Sequence, residues 1–506
     1  MIPTANLAVL LDQTAARFPD RPAFIRGDLV VTWGAFAARA RAAAGGLRTR
    51  GIAPGDRVLV HARNSIAQME TLWAAWHAGA VWVPTNFRLT PPEVAYLAES
   101  SGATAHIFDP AFPDHEAASR AANPALRLEI ALGAEWDALT GPEAAPAEVG
   151  RDHPAWFFYT SGTTGRPKAS VLTHGQLGFV VNNHLADLIP GTTERDVSLV
   201  VAPLSHGAGI HALVQVPRGA ATVLMAGERF DPAEAWALVE RHRISNMFTV
   251  PTILTMLARD PAVDRVDHSS LRYVIYAGAP MYRADQAFAL GKLGKVLVQY
   301  YGMGEVTGAI TVLPPEWHST DDAKMPVGSC GFPRTGMEVA ILSDAGARLA
   351  PGETGEICVR GGAVHAGYWN NPEADAKAFA GGWFHTGDLG HIDARGLVYI
   401  TGRASDMYIS GGSNVYPREI EEALLLHPAI AEACVVGMPH PKWGEAGVAV
   451  LVARDAVAEA ALLAHLEGRL ARYKWPARFV FWEALPKSGY GKVTKREVRA
   501  KLEAQE

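Results

Sequence analysis

The sequence predicts an α/β protein in two parts. The first is a large N-terminal body of layered α/β sheets with a β-rich subdomain; the second is a small C-terminal α+β domain. Three observations lead there. At 506 residues the chain is too long for one ordinary core. Through roughly its first three hundred residues, strand-length apolar runs alternate with longer helix-like ones, as in sheets covered by helices. Past Asp321 the long helices give way to strands punctuated by glycine, and from Arg403 both kinds return in a unit of about 100 residues, a common domain size.

Taken in order, 33–50 reads as an alanine-rich helix closed by Gly51, followed by strand 57–61, helix 64–79, strand 81–84, helix 92–101 and strand 104–108. Short strands between helices imply mostly parallel pairing. After a looser stretch at 133–153, strands are expected at 156–159, 198–202, 222–225, 272–276 and 296–299. The β-rich part supplies 338–342, 356–360 and 398–401. The last unit reads as helix 418–426, strands 433–436 and 448–452, helix 456–473, strand 479–482 and a closing helix. No repeat of solenoid period is visible. The expected division is 1–402, a junction at 403–406, and 407–506.

Hydrophobic residues make up 49% and charged residues 19%, a globular balance. A net charge of −6 without long runs of one sign excludes a nucleic-acid binder, which needs a basic face. Cys330, Cys358 and Cys434 are too far apart for a disulfide framework or a zinc motif, so each reads as a small buried hydrophobe in a reducing compartment. The first residues lack the basic-then-apolar order of a signal peptide, and no run approaches the ~18 apolar residues of a membrane helix. A cytoplasmic protein is expected, with peripheral membrane contact and a homodimer left open.

The most informative segment is Tyr159-Thr-Ser-Gly-Thr-Thr-Gly-Arg-Pro-Lys168, which follows an apolar strand. Its glycines let backbone N–H groups approach a polyphosphate, its hydroxyls donate hydrogen bonds, and Lys168 adds a charge. It is not a Walker loop, because Pro167 precedes the lysine and Ala169 follows it. Read from residue types alone, it is equally a solvated surface loop.

Other segments follow in order: Ala277-Gly-Ala-Pro280, Gln299-Tyr-Tyr-Gly-Met-Gly-Glu305, His385-Thr-Gly-Asp388, Thr401-Gly-Arg403, and Pro486-Lys-Ser-Gly-Tyr-Gly-Lys492. Together with the loop, this ordered set resembles the adenylate-forming (AMP-binding) superfamily, in its acyl-CoA synthetase branch, over nearly the whole chain. The resemblance implies that the small domain is mobile and that the cofactors are ATP, Mg²⁺ and coenzyme A. It assigns Thr160, Ser161, Gly162, Thr163, Thr164, Gly165 and Lys168 to the phosphates. Gly278, Ala279 and Pro280, with Gln299, Tyr300, Tyr301, Gly302 and Met303, fall to the adenylate, Tyr301 stacking on adenine. Glu305 and Thr164 hold the metal, and Asp388 and Arg403 the ribose.

Lys492 is the implied catalytic lysine, and His206 gates the carboxylate at the mouth of the acyl pocket. Gly411, Gly412, Trp443, Tyr473 and Lys474 line the coenzyme A site or its pantetheine tunnel, and Arg88 meets its phosphates. Two positions depart from the pattern. Gly304 replaces a threonine, removing a hydroxyl expected near the α-phosphate, and the hinge falls on Ser405, with Asp406 beside it.

The segments expected around the acyl group, 207–210, 248–252, 276–279 and 300–303, carry no arginine or lysine, which disfavours a second buried carboxylate. A medium- or long-chain fatty acid is the first expectation and an aryl acid of benzoate or cinnamate type the second. A fatty acyl-AMP ligase loading a carrier protein is the nearest rival, and the absence of an obvious insertion in 355–379 and 396–417 counts against it. A degenerate adenylate-binding regulatory protein is the non-enzymatic alternative, supported only by Gly304 and Ser405.

Overall fold

The protein is described by a computed structural model covering residues 5–143, 145–160, 166–227, 229–279, 281–410, 413–487 and 493–505. Two sheets build its large part. The first has six strands, ordered Leu128–Ala131, Ala105–Phe108, Arg57–His61, Val81–Thr85, Pro154–Thr160 and Lys168–Thr173. All pair in parallel except the last two, which form an antiparallel hairpin joining Thr160 to Lys168.

The second sheet has thirteen strands. Its centre is parallel, running from Leu297–Tyr301 through Tyr273–Tyr276, Asn246–Thr249, Val197–Val200 and Ala221–Leu224 to Pro22–Arg26. From Leu297–Tyr301 it continues outward through antiparallel Thr311–Leu313 and Ser329–Pro333 into Val398–Arg403, Phe384–Ile392, Gly355–Gly361 and Met337–Leu342. The β-rich region is therefore hydrogen-bonded to the parallel sheet. This brings Asp388 and Arg403, which are register partners, round to Tyr301.

Helices Ile66–Ala78 and Gly207–Gln215 are buried nearly all round, as expected of helices held inside a domain. One core cluster takes residues from both sheets (Trp82 and Trp156; Val200, Ile275 and Val298) and from these helices (Trp73, Trp76 and Leu213). The layers thus share a single apolar interior.

The last unit has its own five-stranded sheet, built on the long strand Gly444–Ala453, which pairs antiparallel with the long edge strand Ile430–His440. Its period-two alternation sends Ala433, Val435, Ala449 and Leu451 to one face, under helices Pro417–Leu425 and Glu459–Leu466. Cys434, Val436, Val448 and Val450 go to the other, under helix Lys495–Glu503. The helix expected at 456–473 is shorter, Glu459–Leu466 with a separate turn at Arg472–Lys474, because Gly468, in the left-handed region, ends it. All three cysteines are buried and free. No described helix is long and apolar enough to cross a membrane.

Candidate active site

The polar loop closes the hairpin between Pro154–Thr160 and Lys168–Thr173. Ser161, Gly162, Thr163, Thr164 and Gly165 lie outside the described residues. The base of the loop is pinned to helix Pro91–Ser101: Tyr96 OH donates to Pro167 O at 3.0 Å, and Arg166 sits over the Tyr96 ring.

At the near end of the hairpin, Thr160 Oγ1 donates to Glu305 Oε1 at 2.9 Å, and Tyr368 OH donates to the same oxygen at 3.1 Å. Lys168 Nζ lies 5.3 Å from the centre of the Tyr368 ring. Both hydrogen bonds fall on Oε1, so Oε2 is the oxygen that neither Thr160 nor Tyr368 engages. A buried carboxylate with one oxygen left by these two hydroxyls is a hard-oxygen donor of the kind that Mg²⁺ takes. Burial, with the charge of Glu305 next, pushes the Tyr368 phenol well above its ordinary value, so it remains a donor.

Tyr301 is buried, and its hydroxyl donates to Asp388 Oδ2 at 2.7 Å. Arg403 Nε meets Asp388 Oδ1 at 2.9 Å, and this charge raises the arginine's already high pKa. The three residues implied for adenine and ribose thus form one hydrogen-bonded group drawn from three strands. Gln299, in the middle of strand Leu297–Tyr301, accepts from Tyr276 OH at 2.9 Å, which fixes its amide. Gly278 adopts φ 83° in the turn that carries Ala279, and both are exposed. Pro280 lies outside the described residues.

The departure at Gly304 has a structural counterpart. A Cβ there would stand 2.6 Å from both Phe158 Cδ1 and Thr160 Cγ2. The Phe158 ring occupies that space and lies 4.3 Å, centroid to centroid, from the ring of His206. His206 caps helix Gly207–Gln215, so the ring of Phe158 lies between position 304 and the histidine implied at the carboxylate.

The coenzyme A assignments divide. Trp443 and Tyr473 are 46% and 51% exposed, available as flat stacking surfaces. Lys474 is paired with Glu419. Arg88 lines a cavity of about 240 Å³ together with Arg26, Arg63 and Arg229. Gly411, Gly412 and Lys492 lie outside the described residues, but an antiparallel bridge between Lys487 and Val493 closes the base of the lysine segment. Ser405 Oγ donates to Asp406 Oδ1 at 3.3 Å, and Lys495 Nζ stands 2.8 Å from Glu421 and 3.9 Å from Asp406.

Sequence reasoning missed Phe158, Tyr368 and His365. His365 donates its backbone N–H to Glu305 O at 2.7 Å, and its Nδ1 lies 2.9 Å from Ser170 Oγ. A signal existed in Gly367-Tyr-Trp-Asn370, an aromatic pair at a turn in the β-rich segment.

A buried carboxylate at Glu305 and a Tyr301–Asp388–Arg403 group meet where the motifs of a nucleotide-dependent ligase would place them. The chain belongs to the AMP-binding enzyme family, whose two parts match residues 11–369 (AMP-binding enzyme) and 419–492 (AMP-binding enzyme C-terminal domain). It is 39% identical to a feruloyl-CoA synthase of an Amycolatopsis species over 96% of each chain. It is 35% identical to the long-chain-fatty-acid–CoA ligase FadD13 of Mycobacterium tuberculosis over 99% of each. The fold superposes on o-succinylbenzoate coenzyme A synthetase (MenE) of Bacillus subtilis, in complex with ATP and magnesium ion. That match has a TM-score of 0.86 and 31% identity, covering 97% of this chain and 99% of the other. The protein is an AMP-forming acyl- or aryl-CoA ligase that uses ATP and coenzyme A.

Proposed function

We propose that the chain activates an aryl monocarboxylic acid of cinnamate or benzoate type and passes it to coenzyme A. The observation that carries this choice is the aromatic lining of the segments expected around the acyl group. The rings of Phe248 and Tyr300 stack with centroids 6.0 Å apart at 25°, and Gly207 lies so close to Phe248 that a Cβ would stand 2.6 Å from the ring. An aromatic surface of this kind suits a flat acyl group packed beside it, and the similarity to a feruloyl-CoA synthase supports the reading. A medium- or long-chain fatty acid is the second reading, supported by the likeness to FadD13.

In the first step a carboxylate oxygen attacks the α-phosphorus, and the bond to the bridging oxygen breaks to release pyrophosphate. The product is a mixed anhydride whose leaving group is AMP. Catalysis here is positioning and charge stabilisation. Thr160 and Tyr368 orient Glu305; Asp388, held by Tyr301 and Arg403, accepts from the ribose hydroxyls; His206 stands at the carboxylate end. Lys492 supplies a positive charge to the carboxylate and α-phosphate oxygens. Mg²⁺, when bound at Glu305, supplies charge neutralisation to the phosphates.

In the second step the coenzyme A thiol loses its proton to solvent, its sulfur attacks the acyl carbon, and AMP leaves. Because Lys492 then stands where the thiol must enter, the small domain (407–506) turns about 403–406 against the body (1–402). Trp443, Tyr473, Lys474 and Arg88 then serve the nucleotide of coenzyme A.

A pyrophosphate-release screen of Mg-ATP with hydroxycinnamates, benzoates and fatty acids of increasing length tests the proposal. The aryl reading requires the highest kcat/KM among the aryl acids. Fastest release with a fatty acid makes the second reading correct, and no acid-dependent release removes both.

A further inference from the structure

The β-rich segment carries a cluster of metal-ligating side chains that the adenylation chemistry does not use: Glu356, Cys358 and His385. Glu356 and Cys358 stand two apart on strand Gly355–Gly361 and so share a face. Cys358 pairs with His385 on strand Phe384–Ile392, but Glu356 pairs with Leu389, so the register slips between them. Gly387, at φ 72°, lies in that irregularity, of the kind that re-aims side chains. One carboxylate oxygen, one sulfur and one imidazole nitrogen thereby come within 4.8 Å of one another.

The surrounding hydrogen bonds are those of a ligand set. His385 Nε2 lies 3.2 Å from Ala380 O, which only accepts, so Nε2 carries a proton and Nδ1 faces the cluster. Nδ1 stands 2.7 Å from Glu356 Oε2 and 3.4 Å from Cys358 Sγ. A ring nitrogen holds one proton or one lone pair, so it donates to the carboxylate or accepts from the thiol, not both. Glu356 Oε1 is already engaged, accepting from Gly387 N–H at 2.9 Å. A backbone carbonyl on the far nitrogen of the histidine and a donor on the other oxygen of the carboxylate are contacts that orient metal ligands.

A dication here would engage all three atoms at once. Sulfur, nitrogen and oxygen together suit zinc rather than magnesium, which takes oxygen ligands. Tetrahedral zinc, with Zn–S of about 2.3 Å and Zn–N of about 2.0 Å, holds sulfur and nitrogen roughly 3.5 Å apart. The separation here is 3.4 Å. The nitrogen–oxygen pair must open to roughly 3.3 Å, which the partly exposed Glu356 side chain allows. On its inner side Cys358 packs with Ala340, Leu342 and Trp383; on the outer side His385 and Glu356 reach solvent, where water completes the coordination. Arg348 and Arg360, over the Trp383 ring, are paired with Glu338 rather than Glu356. Burial, with the charge of Glu356 next, pushes the Cys358 thiol up to about 12, so an entering cation displaces its proton to solvent.

We propose that Glu356, Cys358 and His385 bind one Zn²⁺-type cation, with water as fourth ligand, and so staple strand Gly355–Gly361 to the turn that presents Asp388. The site shares no residue with the Mg²⁺ carboxylate Glu305, and it stands whichever acid the enzyme activates.

The test uses chelator-treated full-length protein without nucleotide, titrated with Co²⁺ and then Zn²⁺. One equivalent of Co²⁺ should give a thiolate-to-cobalt charge-transfer band, which Zn²⁺ removes and excess Mg²⁺ does not. Cys358→Ser should abolish the band and weaken Zn²⁺ binding, read by competition with a chromophoric chelator, roughly tenfold or more. Glu356→Gln keeps an acceptor for Gly387 and should keep the band while weakening Zn²⁺ on the same scale. If Cys358→Ser gives no folded protein, Glu356→Gln decides, and unchanged Zn²⁺ affinity in it then overturns the proposal. Zn²⁺ binding with no thiolate band is adventitious capture by surface histidines and overturns it. A band that survives Cys358→Ser belongs to another cysteine and overturns it as well.

Discussion

At the scale of single residues, the clearest case is Gly304. Restoring a threonine there adds a Cβ 2.6 Å from Phe158 and Thr160, so the loss of the hydroxyl and the position of the phenylalanine belong together. Gly304→Thr is expected to lower the thermal unfolding midpoint, since overpacking a filled site costs about 1–3 kcal/mol, and to lower adenylation by displacing Thr160 from Glu305. Trimming the ring in Gly304→Thr/Phe158→Ala should recover part of both. If the single variant is as stable and as active as the wild type, Phe158 does not enforce the glycine. The glycine was legible in the sequence as a departure. Its partner was not, because residues 158 and 304 meet only when the hairpin strand packs on the turn after Leu297–Tyr301.

At the scale of elements, strands Arg57–His61 and Ala105–Phe108 pair in parallel and carry His61 and His106 into the interior. Burial, with the neighbouring His115 next, holds both imidazoles down at about 3. Unfolded, each takes a proton near pH 6.5. The neutral folded form is therefore fully favoured above pH 6.5, and that stability is lost as pH falls toward 3, at about 1.4 kcal/mol per pH unit for each histidine. Neither nitrogen of His106 has a hydrogen-bond partner among the described residues. His106→Leu should accordingly make the denaturation midpoint less sensitive to pH between 8 and 5, recovering about 2 kcal/mol at pH 5. An unchanged pH dependence would show that His106 is protonated in the fold. The strands themselves were readable from their apolar runs, whereas helix 456–473 was overextended because its alanine and leucine content masked the break at Gly468.

At the scale of the whole molecule, Glu305, Asp388, Arg403 and Lys168 were readable because each sits in a short motif at a strand end. Tyr368 and His365, which support Glu305, were not, because their segment reaches the site by backbone pairing of residues 366–369 with the distant strand Lys168–Thr173. The account as a whole claims that one nucleotide site serves two steps, the first needing Lys492 and the second needing that lysine withdrawn. The direct test is Lys492→Ala assayed in both half-reactions: pyrophosphate release from acid and Mg-ATP, and acyl-CoA formation from supplied acyl-adenylate. The account predicts that the first falls roughly a hundredfold or more, the scale of losing one charge-stabilising donor, while the second stays near the wild-type rate. Equal loss in both would contradict it.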